Sequence, residues 1–142
     1  MKKVINLSSL KTLPNNLFTR CSSLQQVTIP SSVKEIGERV FKECSSLEEI
    51  IIPSTVNSIG RKAFRKCSSL KNITLPTSLK KISEFLFAEC SSLQQISIPS
   101  SVKEIESKAF GVCSSLKEII IPSSVEVIKE YAFYGCSSLT SI

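Results

Sequence analysis

Residues 21–41 read Cys-Ser-Ser-Leu-Gln-Gln-Val-Thr-Ile-Pro-Ser-Ser-Val-Lys-Glu-Ile-Gly-Glu-Arg-Val-Phe, and Cys44 then opens the same phrase again. Cys21, Cys44, Cys67, Cys90, Cys113 and Cys136 stand at a constant step of 23 residues, each followed by Ser-Ser-Leu. Pro30, Pro53, Pro76, Pro99 and Pro122 keep that step. The cysteines therefore count repeats. Self-similarity at a fixed period of this size marks a solenoid, in which each unit buries its apolar side against its neighbours.

Within one unit the recurring apolar columns are Pro53, Val56, Ile59, Phe64, Cys67, Leu70, Ile73 and Leu75. Leu70-x-x-Ile73-x-Leu75 finishes in period-two alternation, and Pro76 has no N–H to continue a ladder, which predicts a short strand with a defined end. Stacked copies place these strands in a parallel sheet about 4.8 Å apart. The reading is a single repeat domain over residues 1–142, with units 7–29, 30–52, 53–75, 76–98, 99–121 and 122–142, and Val4-Ile5-Asn6 in the strand position ahead of the first. The other half of each unit admits two readings. Val33, Ile36, Val40, Phe41 and Cys44 fit one helical face, and Ser32-x-x-Glu35 has the form of a capping box. Gly37, Gly60, Pro14 and the short period oppose a long helix. The expectation is a brief extended Val-x-x-Ile piece followed by a helical turn around Ala63-Phe64, with one long helix as the alternative.

The chain has 142 residues, 42% hydrophobic and 21% charged, with net charge +6 and no histidine or tryptophan. Without histidine, a Ser-His-Asp triad, a His-bound metal and a switch near neutral pH are excluded. No run approaches the length of a membrane-spanning helix, and Met1-Lys2-Lys3 leads into a mixed polar segment rather than a signal-type apolar core. A serine nucleophile would have only lysine or carboxylate as its base, so no enzymatic activity and no cofactor are expected.

The phrase from Cys21 to Phe41 resembles the leucine-rich repeats of the BspA-like (Treponema pallidum type) class, and the resemblance covers nearly the whole chain. It implies an α/β leucine-rich-repeat solenoid, a right-handed horseshoe or arc. Its parallel sheet would lie on the concave face, with short strands and helical turns on the convex face. It also implies a non-enzymatic protein-binding scaffold, in keeping with cell-surface adhesion to host or matrix proteins. The first unit departs from the pattern with Leu7 for the proline and Pro14 for the glycine. Ser83, Glu106 and Lys129 later replace that glycine, which argues against a left-handed backbone there.

The cysteines are expected at one level of the stack. A buried ladder of free thiols is the plainer reading beside disulfides, and a line of thiols is no metal site. The serine pairs are expected to satisfy backbone groups where strand meets turn. Outward strand positions form the candidate concave binding face. Its columns are Gln25, Glu48, Lys71, Gln94, Lys117; then Gln26, Glu49, Asn72, Gln95, Glu118; then Thr28, Ile51, Thr74, Ser97, Ile120. A basic patch of Arg61, Lys62, Arg65, Lys66, Lys80 and Lys81, with Lys71 nearby, falls in a stretch from residue 60 to 81 that has no acid. It is expected on the back and flank of the middle units. There it is either a solvated face or a site for an anionic partner. Asn6-Leu7-Ser8 and Asn72-Ile73-Thr74 match the glycosylation sequon, which matters only in a secreted chain.

The leading functional expectation is a scaffold for a protein partner of unknown identity, as a piece of a longer array. Its location is the cell surface if that array is secreted and the cytoplasm otherwise. The alternatives are a self-assembling module joined end to end, and the sensing repeats of a larger signalling protein such as a kinase.

Overall fold

The computed structural model describes residues 7–142; the strand reading of Val4-Ile5-Asn6 and the sequon at Asn6 lie outside them in whole or part. In chain order the strands are β1 (Thr12–Leu13), β2 (Glu35–Ile36), β3 (Glu49–Ile51), β4 (Ser58–Ile59) and β5 (Asn72–Thr74). They continue as β6 (Lys81–Ile82), β7 (Gln95–Ser97), β8 (Glu104–Ile105), β9 (Glu118–Ile120) and β10 (Val127–Ile128). Every pairing is parallel and shifted by 23 residues, as in Glu49 opposite Asn72 and Ile36 opposite Ile59. The chain is a parallel β-solenoid. The three-residue strands carry the LxxLxL alternation, and the two-residue strands carry the Val-x-x-Ile piece.

No helix occurs among the described residues, so the expected helical turns, and with them the α/β class, give way to an all-β coil. The reason lies in the backbone of the third side. Arg39 and Glu43 sit at φ 59° and 61°, and Lys62 with Lys66, Phe85 with Glu89, and Lys108 with Val112 repeat the pair. Left-handed residues at this spacing forbid the continuous right-handed dihedrals of a helix. The N–H groups turn along the solenoid axis instead. Phe18 donates to Val40, Phe41 to Ala63, Phe64 to Leu86 and Phe87 to Ala109, at 2.8–3.0 Å. The apolar periodicity that imitates a helical face is real, but it serves inter-unit packing.

The core is a set of one-residue columns. Phe18, Phe41, Phe64, Phe87, Phe110 and Phe133 stack with ring centroids 5.2–5.8 Å apart. The cysteines are free thiols, with Cys44, Cys67, Cys90 and Cys113 buried. From Cys44 onward each donates to the carbonyl of the phenylalanine 26 residues earlier, Cys67 to Phe41 and Cys90 to Phe64 at 3.1 Å. Hydroxyls form a further ladder: Ser32 donates to Leu10, Thr55 to Val33, Ser78 to Val56, Ser101 to Leu79 and Ser124 to Val102.

The glycine column has a role other than left-handed backbone, which neither Gly37 nor Gly60 adopts. A Cβ on Gly60 would lie 2.6 Å from the backbone of Gly37 and Glu38, and one on Gly37 would lie 2.9 Å from the Leu13 carbonyl. Glycine lets two neighbouring backbones touch.

Candidate functional site

Every residue of the predicted binding face is exposed: Gln25, Gln26, Thr28, Glu48, Glu49, Ile51, Lys71, Asn72, Thr74, Gln94, Gln95, Ser97, Lys117, Glu118 and Ile120. The alternation explains why. Ile50, Ile96 and Ile119 point into the core, so their strand neighbours point out. Ile51 and Ile120 are 72% and 78% exposed, too apolar to be shed lightly into water and too far apart to shield one another. Lys71 pairs with Glu48 at 3.6 Å along one column, and both side chains stay over 60% exposed, so the pair adds little stability. Shallow grooves run between the strands; one of about 570 Å³ is lined by Gln26, Thr28, Glu49, Ile51, Asn72 and Thr74. The surface is open and mixed in sign, and its register is fixed within each of the strand pairs β3–β5 and β7–β9.

The basic patch looks different in three dimensions. Arg61 meets Glu84 at 3.2 Å, Arg65 meets Glu89 at 3.2 Å, and Lys81 meets Glu106 at 3.4 Å. The acids missing from residues 60–81 arrive from the next units and neutralise much of the patch. Lys66 and Lys80 remain exposed. Lys62 is held below the usual lysine range, first by loss of solvent and then by Arg61, Arg39, Arg65 and Lys42 around it.

Phe85 was not among the sequence candidates, yet it organises this surface. Lys62, Arg65 and Lys108 stand 5.4, 4.8 and 5.3 Å from its ring centre. Lys108 also approaches Tyr131 at 5.8 Å, so cations and rings alternate along a single column. The 23-residue step places Lys62, Phe85, Lys108 and Tyr131 in that column and is the signal that would have found them.

The buried thiols are poor nucleophiles. Burial pushes Cys44 and Cys90 up to about 12 and raises Cys67 as well. Cys113 and Cys136 act as a pair. Their mutual hydrogen bond, with burial, raises Cys113, and the same contact lowers half-buried Cys136 to about 7. No group of three metal-ligating side chains comes together among the described residues. No helix of the described chain is long and apolar enough to cross a membrane.

Comparison with known proteins agrees with this architecture. Residues 11–140 match the BspA type leucine rich repeat region in six copies. The Treponema pallidum leucine-rich repeat protein is 35% identical, with a TM-score of 0.91 over 99% of this chain and 67% of that one. A leucine-rich cell surface protein of Faecalibacterium prausnitzii is 28% identical, TM-score 0.80, over 99% of this chain and 46% of its own. A leucine-rich repeat protein of Eubacterium ventriosum is 29% identical, TM-score 0.89, over 99% of this chain and 38% of its own. The chain thus spans from about two thirds to well under half the length of these relatives. No curated protein matched it.

Proposed function

The chain belongs to the BspA-type leucine-rich-repeat family, and on that premise we propose that it is a non-enzymatic scaffold that binds a partner protein through the face of its three-residue strands. The observation that carries the reading is the row of outward side chains on β3, β5, β7 and β9, all exposed, with β3 and β5 held in parallel register and β7 and β9 likewise. Such a face offers many adjustable polar contacts around two apolar anchors, Ile51 and Ile120. The cell-surface description of the Faecalibacterium relative supports an adhesive role, with host or matrix protein as the partner class. Surface plasmon resonance against a panel of extracellular-matrix proteins tests it. Binding that falls at least about tenfold in Ile51→Asp or Ile120→Asp, and not in Lys34→Glu on another side, supports the face. No binding, or binding blind to both isoleucines, overturns it.

A second reading is self-association through the sixth unit, where Val127, Ile128, Tyr131, Tyr134 and Ile142 are 45–69% exposed. It predicts mass that rises with concentration in light scattering and stays monomeric in Val127→Lys/Ile128→Glu.

A further inference from the structure

At one junction both parallel ladders are interrupted together. β4 pairs with β2 and β6 with β8; β5 pairs with β3 and β7 with β9. No strand pairing therefore joins unit 53–75 to unit 76–98. The amides agree. Asn57 donates to Lys34, Gly60 to Ile36 and Lys71 to Glu48; one unit beyond the gap, Lys103 donates to Lys80, Glu106 to Ile82 and Lys117 to Gln94. The matching amides of Lys80, Ser83 and Gln94 make no backbone hydrogen bond. Ile73, the core residue of β5, is only half-buried, whereas Ile50, Ile96 and Ile119 are buried.

The sequence of the fourth unit supplies the cause. Ser83 stands where Gly60 stands one unit earlier, Leu86 where Ala63 stands, and Leu79 where Val56 stands. Gly60 has no room for a Cβ against the backbone before it, and Ser83 is the residue of this column that sets a Cβ onto a glycine. Glu106 and Lys129, set on non-glycine neighbours, keep their amide bonds to Ile82 and Ile105. What is particular to this junction is therefore the glycine-to-serine step together with Leu86 for Ala63. The hydroxyl of Ser83 takes over, donating to the Ile59 carbonyl that the amide does not reach. The Phe64–Phe87 interval, 5.8 Å, is the widest of the stack, against 5.2–5.5 Å elsewhere.

On the turn side the same junction is tightly closed. Lys62 donates to Glu84, Phe64 to Leu86 and Lys66 to Ala88 at 2.8–3.0 Å. Arg61–Glu84, Arg65–Glu89 and the cations on Phe85 cross there too. One side of the junction keeps its full backbone ladder, while the others keep only side-chain bonds such as Ser78 to Val56, Ser83 to Ile59 and Ser92 to Ser68. The backbone-bonded side is thus the axis about which rotation breaks least.

We propose that this junction is a hinge. Residues 7–75 and 76–142 move as two bodies about the turn column that joins residues 61–66 to 84–89. Rotation spreads the Lys71–Asn72 positions from Gln94–Gln95 and widens the groove of about 530 Å³ between Asn57, Ser58, Lys80 and Lys81. The inference does not depend on what the face binds.

Residual dipolar couplings of the whole chain in a dilute liquid-crystalline medium test it. A hinge gives two alignment tensors, one per half, that differ in magnitude; a single tensor for both halves overturns the proposal. In Ser83→Gly/Leu86→Ala, the two tensors are expected to merge, and the amides at 80, 83 and 94 to exchange at least about tenfold more slowly. Tensors that stay distinct after those amides slow would also overturn it. Should that variant not fold, the couplings of the natural sequence decide alone.

Discussion

The thiol of Cys90 lies 3.1 Å from the carbonyl oxygen of Phe64, one unit away, and so ties the cysteine column to the phenylalanine column. Neither residue is on the surface. Removing the sulfur would leave the Phe64 carbonyl with the Cys67 amide as its remaining donor and open a hole beside two stacked rings. Cys90→Ala is expected to cost about 1–3 kcal/mol, and Cys90→Ser, which keeps the donor, less. Urea denaturation followed by circular dichroism measures both. Equal stability of all three would show the sulfur–carbonyl contact to be idle.

Accessibility orders the six thiols. Cys21 is exposed, Cys136 half-buried and the remaining four buried. Ellman's reagent should react with Cys21 at once and Cys136 more slowly, leaving the others until denaturant is added.

Alkaline pH should loosen the fold. Cys44 and Cys90 ionise near 9 when unfolded and about 12 when folded, so the folded state holds the proton longer. Their contribution is complete below pH 9 and is lost as pH rises toward 12. Within that window each thiol lowers stability by about 1.4 kcal/mol per pH unit. Denaturation midpoints for Cys44→Val/Cys90→Val should fall less steeply there than those of the natural chain.

Two glycines differ in kind. Gly60→Ala would force a Cβ to within 2.6 Å of backbone atoms and is expected to cost about 3 kcal/mol. Gly111→Ala meets its nearest neighbour, the Lys108 carbonyl, at 3.3 Å, and should cost below about 1 kcal/mol. Thermal melts of the pair would reverse the argument if Gly111→Ala proved the more harmful.

Val112 is a β-branched residue at φ 57°, in the column where Gly135 follows at φ 73°. Its side chain is 42% exposed, so little burial is lost on removing it. Val112→Gly is expected to raise stability by about 1 kcal/mol, read as a melting temperature higher by about 3–5 °C.

The columns were legible because a repeat announces itself: step, strand, thiol ladder and outward face all follow from Cys21 to Phe41 and its copies. The turns were not. Nothing in a single unit marks Arg39 or Glu43 as left-handed, since neither is glycine and the bonds that hold them end on Arg61 and Arg65. The acidic neighbours of the charge patch were hidden for the same reason. Residues 60–81 contain no acid, but Glu84 and Glu89 are neighbours along the axis rather than along the chain. Gly37 and Gly60 were legible as special and misread as to why, because close approach and a positive φ ask for the same residue.

Every contact ladder in the coil runs between positions about 23 apart, so an in-frame insertion or loss of that many residues leaves each column intact. Length can therefore be edited by whole turns without redesigning a contact. One boundary resists such shuffling. The turn of Gly60 seats closely on that of Gly37, and the turn of Glu106 keeps its bond to that of Ser83, but Ser83 set on Gly60 does not, so the order of turns, and not only their number, decides where the rod can bend.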